Sequence, residues 1–194
     1  MSLNPIRLKG NWDKGYALDA HIIKSTYLGE DEYGHNKFDT TRSMIGELVY
    51  QLKYKNKTDK IYDIIELINP FLQKWHDMKT VDIVIPAPPS KKYREVQPVH
   101  LIAKMIAKLL NVPYVNNLLE KLNSGQSKDK SLKDKTESIK GTIIKHKQFK
   151  KDVNILVVDD LYDSGTTLNE VCNVLKKDKH VNKIFVLAMT KTKR

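Results

Sequence analysis

The residues of this chain best placed to do chemistry are two adjacent acids, Asp159 and Asp160, and the short run Asp163-Ser164-Gly165-Thr166-Thr167 that follows them. Ionised carboxylates accept hydrogen bonds from sugar hydroxyls and repel phosphate. Ser164, Thr166 and Thr167 bring hydroxyl donors instead, and Gly165 lets backbone come close to an anion. Acids before the loop and none within 164–167 is the order a sugar phosphate needs. Ile155, Leu156, Val157 and Val158 suit a strand buried on both faces, which would deliver the acids at its carboxyl end, where open α/β sheets bind ligands. A helix starting near Thr167 would add unpaired N–H groups and the positive end of a dipole. Read as turn chemistry alone, the same residues make an acidic turn and a capped helix. A motif this long, in strand-loop-helix order, favours the site.

The segment resembles the phosphoribosyl pyrophosphate (PRPP) motif of the type I phosphoribosyltransferases: four hydrophobics, two acids, then a Thr/Ser-Gly-x-Thr loop. The resemblance implies that Asp159 and Asp160 bind the ribose 2′- and 3′-hydroxyls and that Asp163, Ser164, Gly165, Thr166 and Thr167 hold the 5′-phosphate. A second ligand-binding turn follows residues 81–85 as Pro86-Ala87-Pro88-Pro89-Ser90-Lys91-Lys92. Together with Gln51-Leu52-Lys53-Tyr54-Lys55, this order is similar to the ComF-like branch, associated with natural competence, over roughly residues 44–188. By that likeness Ser90, Lys91 and Lys92 form the pyrophosphate loop, and the two lysines offset leaving-group charge. Asp163 departs from the ComF-like pattern and resembles the acid of purine salvage enzymes, where it contacts the base and can act as general base. A turn acid that caps Gly165 or the following helix is the other reading of Asp163. The family implies Mg²⁺ held mainly by substrate and water, with no protein metal cage.

Charge supports an anionic ligand. The chain of 194 residues has 34 basic and 23 acidic side chains, net +11, and ten lysines lie between 121 and 151 against three acids. Residues 121–131 are polar and aperiodic, which reads as a long loop. In the family a lid occupies this place in the order, and a solvated basic face or a nucleic-acid contact is the competing reading. Only Phe149 among the aromatics lies in the basic segment, so stacking platforms for single strands are not evident. No P-loop or Gly-x-Gly-x-x-Gly fingerprint occurs, and the six histidines lack zinc-site spacing. A single cysteine, Cys172, falls on an apolar helix stripe and reads as core. No apolar run reaches membrane-spanning length and no signal-peptide core is present, so a cytoplasmic location is expected.

Periodicity places core-facing helices at 41–53, 59–75 (kinked or divided at Pro70), 98–110 and near 167–177. Strands are expected at 81–85, 113–115, near 141–144, 153–158 and 184–188. This alternation predicts an α/β class: a mainly parallel twisted sheet flanked by helices, with the type I phosphoribosyltransferase fold over 41–194 and an irregular cap or hood over 1–40. The function these expectations add up to is transfer of ribose 5-phosphate from PRPP to a nitrogen acceptor, a nucleobase being favoured, with release of pyrophosphate. A PRPP-sensing regulator or a competence-type DNA-handling protein is the alternative. Expected partners are PRPP and a small acceptor, with nucleic acid and a second copy of the chain as further candidates and no membrane.

Overall fold

The computed structural model describes residues 3–89, 95–122 and 139–192. In chain order these form β1 (Ile6–Arg7), β2 (Lys14–Ala20), β3 (Ile22–Glu30), β4 (Asn36–Arg42), α1 (Met44–Tyr54), α2 (Lys60–Lys74), β5 (Ile83–Pro86), α3 (Pro98–Leu110), β6 (Leu119–Lys121), β7 (Ile143–Lys145), β8 (Val153–Tyr162), α4 (Thr166–Leu175) and β9 (Val181–Lys191). The main sheet has the order β1-β2-β9-β8-β5. Its four longer strands run parallel, β1 pairs antiparallel with β2, and Tyr114 adds a single parallel bridge to Val84 beyond β5. This is the expected α/β fold, a mainly parallel sheet flanked by helices.

The central strands read as apolar runs because both faces are covered. Leu156 and Val158 of β8, with Phe185, Leu187 and Met189 of β9, pack under α1, α2 and α3. Ile155 and Val157, with Ile184, Val186 and Ala188, pack under α4 beside Leu8 and Trp12. Helix α3 follows β5 on one face and α4 follows β8 on the other. The two connections therefore diverge, and a crevice opens at the carboxyl ends of β5 and β8.

Several expectations need correction. The first forty residues are not an irregular cap: β1 and β2 belong to the main sheet, and β3 with β4 forms a separate antiparallel ribbon. Helix α2 runs through Pro70 as one element, with Pro70 on the solvent side. The strand expected near 141–144 is β7, which pairs antiparallel with β6 outside the main sheet. Strand β8 does not end before the acids. It continues to Tyr162 because β9 keeps pairing with it, Asp159 opposite Ala188 and Tyr162 opposite Lys191, whereas β5 stops at Pro86 opposite Val158.

Helix α1 is pinned where it leaves the ribbon. The Ser43 hydroxyl donates to the Ala20 carbonyl at 2.5 Å and accepts from the Gly46 amide at 3.0 Å. Gly46 is required there, since a Cβ would lie 2.3 Å from the His21 carbonyl oxygen. This junction fixes the direction in which α1 carries Lys53.

Candidate active site

The crevice is a cavity of about 490 Å³, lined from β8 by Asp159, Asp160, Leu161 and Tyr162 and then by every residue from Asp163 to Leu168. Pro88, Pro89, Gln97, Lys53 and Lys121 complete much of the wall. The structure thus brings together the acid pair and the whole 163–167 loop, as the sequence suggested. Ser90, Lys91 and Lys92 lie outside the described residues, as does most of the basic loop; only its flanks, up to Leu122 and from Ile139, are described.

The loop turns sharply into α4. Gly165 takes the left-handed conformation, φ 77°, which side chains rarely adopt, and a Cβ there would meet the Tyr162 hydroxyl at 2.4 Å. The glycine thus makes room for the Tyr162 ring. Ser164 and Thr166 share a hydroxyl–hydroxyl bond of 2.7 Å, and α4 begins at Thr166 with its first amides directed toward the loop. Asp163 accepts a bond from the Thr192 hydroxyl at 2.8 Å, which ties the loop to the end of β9.

The two acids differ. Asp160 is paired with Lys53, Nζ to Oδ2 2.6 Å, both side chains largely withdrawn from water. Asp159 accepts the Asp160 amide at 2.8 Å, and burial, then the Asp160 charge beside it, pushes its carboxyl above the usual carboxylate range. Lys121 stands on the other side. Burial lowers its pKa, and the Asp159 charge opposes that shift. Behind Asp160, the Thr190 hydroxyl meets the Asp160 carbonyl at 3.2 Å and the His21 ring at 3.1 Å. Burial, then the positive charges of Arg42 and Lys53, holds His21 below its ordinary pKa, so it favours the neutral ring.

Three cavity residues escaped the sequence reading of the site. Lys53 lies in the Gln51–Lys55 run that was matched to a family but given no role. Lys121 was counted only as part of a basic excess, and Tyr162 was given no role. The signal for Lys53 is weak in sequence, because a lysine beside an inward leucine on an amphipathic helix is ordinary. Among the described residues no three His, Cys, Asp or Glu side chains converge as a metal cage. Two adjacent carboxylates suit a Mg²⁺ ion that takes most of its oxygens from substrate and water. Nor, among the described residues, is any helix long and apolar enough to cross a membrane.

Residues 100–191 match the model of the phosphoribosyl transferase domain family. No curated protein matches the chain. Among solved structures, a hypoxanthine phosphoribosyltransferase from Staphylococcus aureus is similar at 16% identity and a TM-score of 0.42, over 68% of this chain and 62% of that one. The UMP synthase of Leishmania donovani is similar at 15% and 0.39, over 84% and 28%. An adenine phosphoribosyltransferase from Trypanosoma brucei, in complex with AMP, pyrophosphate and ribose 5-phosphate, is similar at 11% and 0.44, over 97% and 76%. The chain spans less than two thirds of the first two, and likenesses this distant leave its substrate to be argued from its own residues. What the family match adds is that the acids and loop lining the cavity lie within the stretch similar to that family's model, residues 100–191.

Proposed function

We propose that the protein transfers ribose 5-phosphate from PRPP to a nitrogen acceptor, favouring a nucleobase, with release of pyrophosphate. The observation that carries this reading is that the acid pair, the 163–167 loop and two lysines from remote elements line a single cavity. The loop amides and hydroxyls hold the 5′-phosphate, and Asp159 and Asp160 accept the ribose hydroxyls. The bond from C1′ to the pyrophosphate oxygen breaks, pyrophosphate leaves with the electron pair, and the acceptor nitrogen bonds to C1′. Asp163, on the rim, takes the acceptor's proton or orients it. Mg²⁺, where bound, supplies charge neutralisation on the pyrophosphate oxygens. Ser90, Lys91 and Lys92 are assigned the pyrophosphate end, the basic loop the role of a lid that excludes water, and the ComF-like branch is the narrower family reading.

The test is pyrophosphate release with PRPP, Mg²⁺ and a panel of purine and pyrimidine bases. Release with at least one base is expected. PRPP binding with no release for any acceptor would move the protein to the regulatory reading, and absence of PRPP binding would sink the site itself.

A further inference from the structure

The ribbon of β3 and β4 stands apart from the body. Neither strand pairs with a third strand among the described residues. A lone two-stranded hairpin is at best marginal in water. This one also exposes Tyr27, Leu28, Tyr33 and Phe38, each by more than half, and Tyr27 and Phe38 stack on each other at 5.5 Å as cross-strand partners. Four large apolar side chains within twelve residues are more than scattered exposure, and together they mark a contact surface. The turn is ordered without help from the body: the Asp31 carboxylate accepts the Tyr33 and His35 amides, each at 2.9 Å.

Charge decides what covers it. The ribbon bears Lys24, Lys37 and Arg42 against Glu30, Asp31, Glu32 and Asp39, one negative charge net in a chain of net +11. Its tip gathers Glu30, Asp31 and Glu32 with Lys37 beside them, while Lys24 stands exposed at its root, where Arg42 is turned to Glu47 and the Tyr50 ring. An acidic tip repels nucleic acid and anionic membrane alike. The polarity is instead complementary to itself. Two ribbons laid antiparallel about a two-fold axis put each acidic tip beside the other's basic root and bring the Tyr27–Phe38 pairs together at the centre. In such an isologous contact, residue i of one copy meets j of the other and the reverse.

We propose that the β3–β4 ribbon is a dimerisation arm whose partner is the same ribbon of a second copy of this chain. The reading is independent of the chemistry assigned to the cavity.

Sedimentation velocity on the full chain tests it at ~1 to ~50 µM, the range that reads a micromolar dissociation constant, at low and high salt. The parent is expected to sediment as a dimer of the 22.4 kDa chain. The double variant Tyr27→Ser, Phe38→Ser should be monomeric with an unchanged far-UV spectrum, since both side chains are already in solvent. Glu30→Lys with Glu32→Lys should weaken the dimer at low salt, and adding Lys24→Glu should restore part of it. A monomeric parent over this range, or a dimer that survives both ribbon variants, overturns the proposal. So does a parent that binds single-stranded DNA through the ribbon, with binding lost in the Tyr27→Ser, Phe38→Ser variant.

Discussion

Asp178 and Asp159 are carboxylates withdrawn from solvent near opposite ends of the same sheet, and their surroundings push them in opposite directions. Asp178, just before β9, receives the Lys145 ammonium, the Phe149 amide at 2.9 Å and the His180 amide at 3.1 Å. Lys145 first, then the Phe149 amide, holds its carboxyl down at about 2. Asp159, in the second half of β8, receives the Asp160 amide, and burial, then the Asp160 charge, drives its pKa up to about 8. The first acid is complete in the folded chain. The second, among the described residues, is met only by its neighbour Asp160, through an amide and a shared side-chain hydrogen bond. The fold gains stability from the acid at one end of the sheet and loses some to the acid at the other, which lines the cavity.

The largest effect that would sharpen this contrast is on stability. Asp178→Ala strands the nearly buried Lys145 ammonium and two amides, and should cost about 3–5 kcal/mol in urea unfolding. A loss under about 1 kcal/mol would mean that the pair is no more than a surface salt bridge. Next comes chemistry at the other end. Asp163→Asn should lower turnover by roughly 10²- to 10⁴-fold at nearly constant PRPP affinity if this acid handles the acceptor's proton. Equal losses in affinity and rate would make it a loop-tethering residue through Thr192. Asp160→Asn should weaken PRPP binding about 10- to 100-fold by calorimetry, the worth of a hydrogen bond to a charged group. Unchanged affinity would remove Asp160 from the diol.

The smallest effect tests the comparison itself. A carboxyl whose folded pKa lies above its unfolded value stays protonated in the folded chain while the unfolded chain ionises. Asp159 therefore erodes stability as pH rises from about 4 to 8. Asp178 does the reverse: its folded pKa is depressed, so its contribution is full above about pH 4 and is lost as pH falls toward 2. Asp159→Asn should raise the melting temperature at pH 8 by about 2–6 °C and leave it nearly unchanged near pH 4. A variant that melts with its parent at both pH values would show that Asp159 is not strained.

The motif from Ile155 to Thr167 was legible because its parts are contiguous and each residue type has a local reason. Lys53 and Lys121 reach the same cavity from α1 and β6, and no spacing in the chain announces a contact made across 100 residues or across an unspecific lysine run. Lys145 and Asp178 are hidden by the same separation. The ribbon was missed for another reason. With neither face buried against the body, β3 and β4 carry no inward apolar stripe, so the alternation that marks a half-buried strand is absent. Strand β2 does alternate in burial at its start, but the glycine and polar residues around it masked so short a signal.

The bond from Ser43 to the Ala20 carbonyl closes a loop in the chain: the ribbon leaves the body after β2 and returns within one hydrogen bond of where it left. Residues 22–42 are thus topologically an insertion, attached at a point the rest of the fold already holds shut. Replacing them with a short turn would demand little of the sheet or of α1, so the arm could be gained, lost or exchanged between lineages without disturbing the cavity that Lys53 enters.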